Sequence, residues 1–382
     1  MDEPVDEPPE EGPRLADSAE LPEILALADR CFNRTRGEIG AQWSHCYDAD
    51  RPERHAVIYA DGELVSHAAC VENTLVVGDA RLPYWGLSGV ATDPRYRGRG
   101  HMTRLVEFWL DRMDHPLASL GGDRQRYGRF GWELVGCQRI YRVTDRSLDA
   151  DPPAEHVERF DGSSKAVEFV LDLYRTQRFR VERDPEALRT RFGRSHLETV
   201  LYTEPGAEAY LTFTRGGREV RVVEVNGAEV GVRALLAHVF DAYAKSTLNC
   251  ALHPSDPLNP LFGSPDVSAS YRTRPLRFLN IRDLPRVLEV FEGRLEQQWR
   301  EKGSPDTAGE LTLGIEGDED AARLAWDDGV TVERISGEPD LELDRRDAAR
   351  VVFGPVETVE IGHSFLEAVT PVPFAIPMPD RV

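Results

Sequence analysis

The sequence predicts a mixed α/β (α+β) protein built as three consecutive blocks, and three observations carry that reading. Helical and strand-like hydrophobic periods alternate along the chain, with a helix opening each block. A glycine- and arginine-rich loop separates a predicted strand from a predicted helix near residue 98. The chain of 382 residues, 41% hydrophobic, is long enough for two or three domains and apolar enough to fill their cores.

Taken in order, residues 1–14 hold six acids and four prolines with almost nothing apolar, so a disordered tail is expected. A helix over 19–32 follows, capped by Asp17 or Ser18, with Leu21, Ile24, Leu25, Ala28 and Phe32 on one face. Residues 55–60, 64–71, 74–77 and 82–92 read as strands, with turns at Asp61-Gly62 and Gly78-Asp79. Gly86 and Gly89 inside the last of these predict a bulge or a close backbone approach by a ligand. A helix over 102–113 comes next, then strands at 117–120 and 133–143.

The polar stretch 151–164 reads as a linker, setting a first block at 15–150. The second block, 151–282, carries helices at 166–174 and 232–243 and strands at 200–202, 209–214 and 218–225, the last two joined through Gly216-Gly217. The third, 283–382, opens on an amphipathic helix with Leu284, Val287, Leu288, Phe291, Leu295 and Trp299 at helical spacing. Strands at 311–315, 323–326 and 330–335 and a helix capped by Asp344 complete it.

Charge narrows the classes of function. The formal net charge is −21, and only three of the 46 basic residues (Lys165, Lys245, Lys302) are lysines, a balance that suits salt adaptation or, alternatively, a high-GC genome that writes Arg for Lys. Such a surface repels phosphate backbones and anionic lipid, so neither a nucleic-acid nor a membrane partner is expected. The N-terminus is acidic rather than signal-like, and no apolar run reaches the roughly 20 residues of a membrane span, so a cytoplasmic protein is expected. Five scattered cysteines (Cys31, Cys46, Cys70, Cys137, Cys250), with no CxxC and no close Cys/His cluster, indicate free thiols, no disulfide framework and no metal site.

Against that background, residues 90–103 invert the local charge. Val90-Ala91-Thr92-Asp93-Pro94-Arg95-Tyr96-Arg97-Gly98-Arg99-Gly100-His101-Met102-Thr103 contains R-x-x-G-x-G between strand and helix, and Arg95, Arg97, Arg99 and Arg104 surround the loop. Glycines allow a tight turn whose backbone N–H groups converge on one anion, and the helix N-terminus adds its positive end. The glycine spacing fits neither a Rossmann fingerprint nor a Walker loop.

The segment resembles the acetyl-CoA pyrophosphate loop of the GNAT acetyltransferases. A second segment, Arg126-Tyr127-Gly128-Arg129-Phe130-Gly131-Trp132, resembles the enhanced intracellular survival (Eis) family, as do the three-block layout and the stretch 274–282. The resemblance implies tandem GNAT-like domains, the second degenerate and without cofactor, followed by a sterol-carrier-like α+β domain. It also implies acetyl-CoA as co-substrate, held through Val90, Ala91 and Thr92 and through Arg97, Gly98, Arg99, Gly100, His101, Met102 and Thr103. Gly122 and Asp123 match further acetyl-CoA-contacting positions, and Tyr127 that of the general acid.

The family's base, the chain-terminal carboxylate, would fall on Val382, although the end Pro379-Asp380-Arg381-Val382 lacks the family's terminal aromatic residue. The implied activity is N-acetylation of a primary amine of a cationic small molecule, aminoglycoside- or polyamine-like, or of a lysine-bearing peptide. Transfer would be direct, in a ternary complex, and a homo-oligomer is implied. The other reading is a non-catalytic binding protein whose sterol-carrier-like block takes an apolar ligand. His67, His115 and His253 read as structural histidines and Trp299 as core; Asp29 and Glu38 read as a solvated face rather than as the lining of an amine pocket near the first helix, and no cysteine nucleophile has a recognisable histidine partner.

Overall fold

A computed structural model describes residues 10–302, 308–355, 359 and 361–381, and the chain divides into two compact units. The first comprises residues 1–72 and 85–114, with 382; the second comprises 73–84 and 115–381.

In the first unit, β1 (Glu11–Leu15) pairs antiparallel with β2 (His55–Ala60), and β2 with β3 (Glu63–Val77). β3 is one strand rather than the two expected. Leu64–Val71 is buried on both faces, with the polar Ser66 and His67 inside it, and the strand continues through Glu72 and Asn73 to Val77. β4 (Ala80–Thr92) follows it in the strand order. Helix α1 (Leu21–Cys31) packs Ile24, Leu27 and Ala28 into a core with Ile39 of α2 (Glu38–Gln42) and with Val57, Leu64 and Ala91. Phe32, placed on that face by periodicity, lies past the helix end and is 44% exposed. Helix α3 (His101–Leu110) buries Leu105, Val106 and Trp109, and the Trp109 indole donates to the Ala68 carbonyl at 3.1 Å.

The tail expected over 1–14 needs correction, because residues 11–14 are strand; residues 1–9 lie outside the described residues. Charge and proline content opposed burial, but the free edge of β2 supplies backbone partners, with Arg14 opposite Val57. The Arg14 guanidinium grips Glu20 through two bonds of 2.9 and 2.8 Å, holding that carboxyl at about pKa 2.

Besides the end of β3 and the start of β4, the second unit holds β5 (Leu117–Leu120), α4 (Arg124–Tyr127), β6 (Glu133–Val135), β7 (Gln138–Thr144) and β8 (Val157–Arg159). Then come α5 (Ser164–Arg175), β9 (Phe179–Val181), α6 (Pro185–Phe192), β10 (Leu197–Tyr202), β11 (Ala209–Thr214), β12 (Glu219–Gly227) and α7 (Glu229–Ala242). β13 (Thr247–Leu252), α8 (Asn259–Gly263), β14 (Ser268–Arg274) and β15 (Arg277–Ile281) follow. A seven-stranded sheet runs β14-β7-β13-β12-β11-β10-β8, parallel only between β12 and β13. β15 pairs antiparallel with both β5 and β6.

These pairings move the boundaries expected at 150/151 and 282/283. β7 belongs to the second sheet, while β15, far along the chain, completes the sheet that β5 and β6 began. After α9 (Leu284–Lys302), strands β16 (Gly309–Ile315), β17 (Asp320–Trp326), β18 (Val330–Ser336) and β19 (Leu341–Leu343) form a four-stranded sheet in the order β18-β17-β16-β19. All six apolar positions that the spacing assigned to α9 are buried, Trp299 included. Asp344 caps α10 (Arg345–Phe353) by accepting from the amides of Arg346 and Asp347, and α11 (Ser364–Val369) packs on α9.

Candidate active site

The anion loop lies wholly in the first unit. Gly98 and Gly100 adopt φ of +82° and +81°, and Gly100 leads directly into α3. This left-handed backbone is open to glycine at little cost and strained for other residues. A helix's first-turn amides have no intrahelical acceptor, so a loop of this shape offers N–H groups and a positive helix end together. Upstream, the Ser66 hydroxyl donates to the Ala91 carbonyl at 2.9 Å and lies 2.8 Å from the Thr92 hydroxyl, which fixes the end of β4.

The four arginines expected around the loop divide into two pairs. Arg95 is bound to Asp93 and, at 2.9 Å, to Glu63, and the arginines Arg95 and Arg30 hold the Asp93 carboxyl at about pKa 2. Arg104 turns away to Glu10, at 2.6 Å, and to the Gly12 carbonyl. Arg97 and Arg99 remain, both exposed; Arg97 donates to the Thr92 carbonyl at 3.3 Å, and Arg99 lies over the Tyr96 ring. The loop therefore keeps two cations for an anion rather than four. His101 is 1% exposed, with its Nε2 3.4 Å from Glu10, so only its backbone is placed to serve the loop. Burial keeps its pKa below the ordinary imidazole value.

Gly89 has φ of +58°, a backbone conformation that favours glycine, and its surroundings leave no room for a side chain. A Cβ there would stand 2.3 Å from the Tyr47 hydroxyl. Tyr47 stacks on His55, with centroids 5.5 Å apart, and His55 Nδ1 is 3.0 Å from His67 Nε2. His67 Nδ1 lies 3.0 Å from the Gly89 carbonyl. A carbonyl only accepts, so His67 Nδ1 carries its proton, its Nε2 accepts, and His55 Nδ1 donates.

Sequence reasoning saw His67 as structural but missed this chain, whose members are brought together only by strand pairing. Burial pushes the pKa of His55 down to about 4, and burial followed by the neighbouring His55 pushes that of His67 to about 3. The unfolded chain therefore binds more protons than the folded one as pH falls below about 6.5, and stability is lost toward pH 4. Against wild type, His55→Gln is expected to lose less stability between pH 7 and 4, the difference reaching about 3 kcal/mol. Denaturant melts across that range test it; parallel curves would refute it.

Gly122, Asp123 and Tyr127 come together in the second unit. The Asp123 carboxylate accepts from the amides of Gln125 and Arg126, at 3.0 and 3.1 Å, and so caps α4. A Cβ on Gly122 would come within 2.4 Å of the Tyr127 ring. Both residues thus have a local role in setting Tyr127. The tyrosine ring meets Trp132 edge-on at 6.3 Å and is 6% exposed, and burial raises its pKa above the ordinary phenol value.

The turn is braced from far along the chain. Arg124 of α4 binds Glu133, which also accepts from Arg346 and Arg350 of α10, both at 2.6 Å. Burial alone would raise the Glu133 pKa, but these partners hold it at about 2. Asn280 of β15 donates to the Phe130 carbonyl at 2.8 Å. Val382 lies outside the described residues.

Residues 13–135 match the acetyltransferase (GNAT) domain family. Among solved structures, the chain is similar to a GCN5-related N-acetyltransferase from Kribbella flavida (TM-score 0.72, 18% identity, 97% of each chain covered). One from Anabaena variabilis gives 0.70 at 17% identity, over 96% of this chain and 99% of the other. Eis1 from Mycobacterium abscessus gives 0.62 at 19% identity, over 94% and 98%. No curated protein sequence matches the chain. At these identities the likeness is one of fold. Among the described residues no helix is long and apolar enough to cross a membrane. Residues 13–135 are thus an acetyltransferase (GNAT) domain that uses acetyl-CoA as co-substrate, carried in a chain whose fold resembles that of Eis1.

Proposed function

We propose that the enzyme acetylates a primary amine of a cationic small molecule, aminoglycoside- or polyamine-like, or of a lysine-bearing peptide, by direct transfer in a ternary complex. The observation that carries this reading is the loop, where two left-handed glycines, a helix N-terminus and the exposed Arg97 and Arg99 lie together, an arrangement suited to a pyrophosphate. Val90, Ala91 and Thr92 would then offer backbone groups to the pantetheine arm. The neutral amine attacks the acetyl carbon, the carbon–sulfur bond breaks, and the departing thiolate takes a proton from the Tyr127 phenol. The ammonium proton passes to a base, in this reading the carboxylate at Val382; extending the chain beyond it should then abolish turnover.

Gly122 and Asp123 contribute chiefly by shaping the Tyr127 turn. The block after α9, a four-stranded sheet with helices packed on it, is read as sterol-carrier-like in build. Measuring CoA release over a panel of aminoglycosides, polyamines and lysine peptides tests the proposal; no turnover together with no acetyl-CoA binding would overturn it. The double variant Arg97→Ala/Arg99→Ala is expected to raise the KM for acetyl-CoA about tenfold, and more at low salt than at high. A salt-independent, unchanged KM would remove these side chains from the site.

A further inference from the structure

The seven-stranded sheet of the second unit buries one face against α7 and α8. Val220 and Val222 of β12, Leu248 and Cys250 of β13, and Tyr141 and Val143 of β7 all enter that core. Side chains alternate along a strand, so the residues between them belong to the opposite face. Register aligns that opposite face row by row: Arg221 stands beside Asn249, Ala251 beside Ile140, Arg272 beside the same Ile140, and Arg274 beside Gln138.

A fourth cation arrives from the C-terminal segment. Arg381 donates to the Ile376 carbonyl at 3.0 Å and to Gln138 Oε1 at 3.3 Å. Arg221, Arg272, Arg274 and Arg381 line one cavity of about 650 Å³, a size ordinary for small-molecule sites. One carboxylate also lines it, Glu219, which accepts from Asn249 at 3.0 Å.

Two features set this cluster apart in an acidic protein. Several arginines elsewhere in the same sheet and its helices are paired, Arg159 and Arg215 with Glu198, Arg233 with Asp266 and Arg175 with Glu168, whereas Arg142 of β7 donates to the Thr247 hydroxyl instead. Among the described residues, none of the four cavity arginines forms an ion pair. Moreover, Arg381 is half-buried, and desolvation, with Arg221 acting the same way, draws its pKa down to about 10, so it remains a cation at neutral pH. Unrelieved like charges cost stability that a neutral or mixed surface would avoid. Arginine's planar fork matches phosphate and carboxylate oxygens in pairs.

We propose that this face is a second anion site, formed by residues other than those of the acetyl-CoA loop, that binds a small molecule carrying two or more phosphate or carboxylate charges. Pyrophosphate, and in a parallel series citrate, would be titrated calorimetrically into protein saturated with CoA. Binding of at least one anion is expected, weakening steeply with added salt, and reduced tenfold or more in Arg272→Ser/Arg274→Ser. Which anion binds identifies the chemistry.

Arg272 and Arg274 are exposed on an edge strand, so an unchanged melting temperature without ligand would separate lost binding from lost folding. Arg381→Gln, which keeps hydrogen-bonding capacity but loses charge, should weaken binding similarly. If CoA itself fails to bind, the same titration into Arg97→Ala/Arg99→Ala still isolates this site. Absence of binding by both anions, binding unaffected by the double variant, or an effect confined to the association state would overturn the proposal.

Discussion

Tyr127→Phe is expected to lower kcat for acetyl transfer roughly a hundred- to ten-thousand-fold, the range over which a positioned acid contributes. Acetyl-CoA binding should persist. The substitution removes one oxygen and leaves the ring where Gly122 admits it and Trp132 meets it edge-on. Stability should therefore change little, and the kinetic loss would report proton donation rather than packing. Burial raises the Tyr127 pKa, so the phenol stays protonated throughout the neutral range, and wild-type kcat should show no decline from this group as pH rises through that range. Steady-state kcat with a saturating amine, alongside direct acetyl-CoA binding, decides the matter. An undiminished rate would reject the acid assignment while leaving the loop's role standing.

The largest expected effect on stability is that of Asp380→Asn. Asp380 and Arg183 have fully buried side chains; Arg183 Nε donates to Asp380 Oδ1 at 3.0 Å, and Arg191 lies 2.6 Å from the same oxygen. Arg183 also grips Glu224 through bonds of 2.9 and 2.6 Å and lies 4.0 Å over the Tyr174 ring. Two guanidinium groups thus face two carboxylates out of water. Neutralising one carboxylate leaves an uncompensated buried cation, which costs about 3–5 kcal/mol, far more than an exposed pair is worth. Arg175→Ala, at an exposed pair on α5, is the comparison and should cost under about 1 kcal/mol. Denaturant midpoints measure both; similar small losses would show that the buried set is not a coupled network.

The sequence made local features legible and left distant pairings hidden. The expected 55–60, 117–120 and 209–214 coincide with β2, β5 and β11 because period and turn residues are local properties. The anion loop was legible for the same reason: its glycines must sit where the backbone turns left-handed. β15 was not, since Phe278, Leu279 and Ile281 would suit any buried strand, and only three-dimensional pairing selects β5 and β6. Arg104 follows the loop in sequence yet is taken by Glu10, so proximity along the chain overstated the loop's charge. The His55–His67 chain and the arginine face depend on register, which no composition or spacing reveals.

Glu133 shows what such distant support means for anyone who cuts or mutates the protein. Its bonds to Arg346 span 213 residues, and they brace the same turn that presents Tyr127. A fragment limited to residues 13–135 would lack both α10 and the strand inserted between β5 and β6. The catalytic domain is therefore contiguous in sequence but not self-sufficient as a fold. In a mutational screen, Arg346 and Arg350 would score beside Tyr127 as loss-of-activity positions, although both act through the Glu133 carboxylate of the brace. Natural variation in the last block would then tune turnover without altering a residue of the acetyltransferase domain.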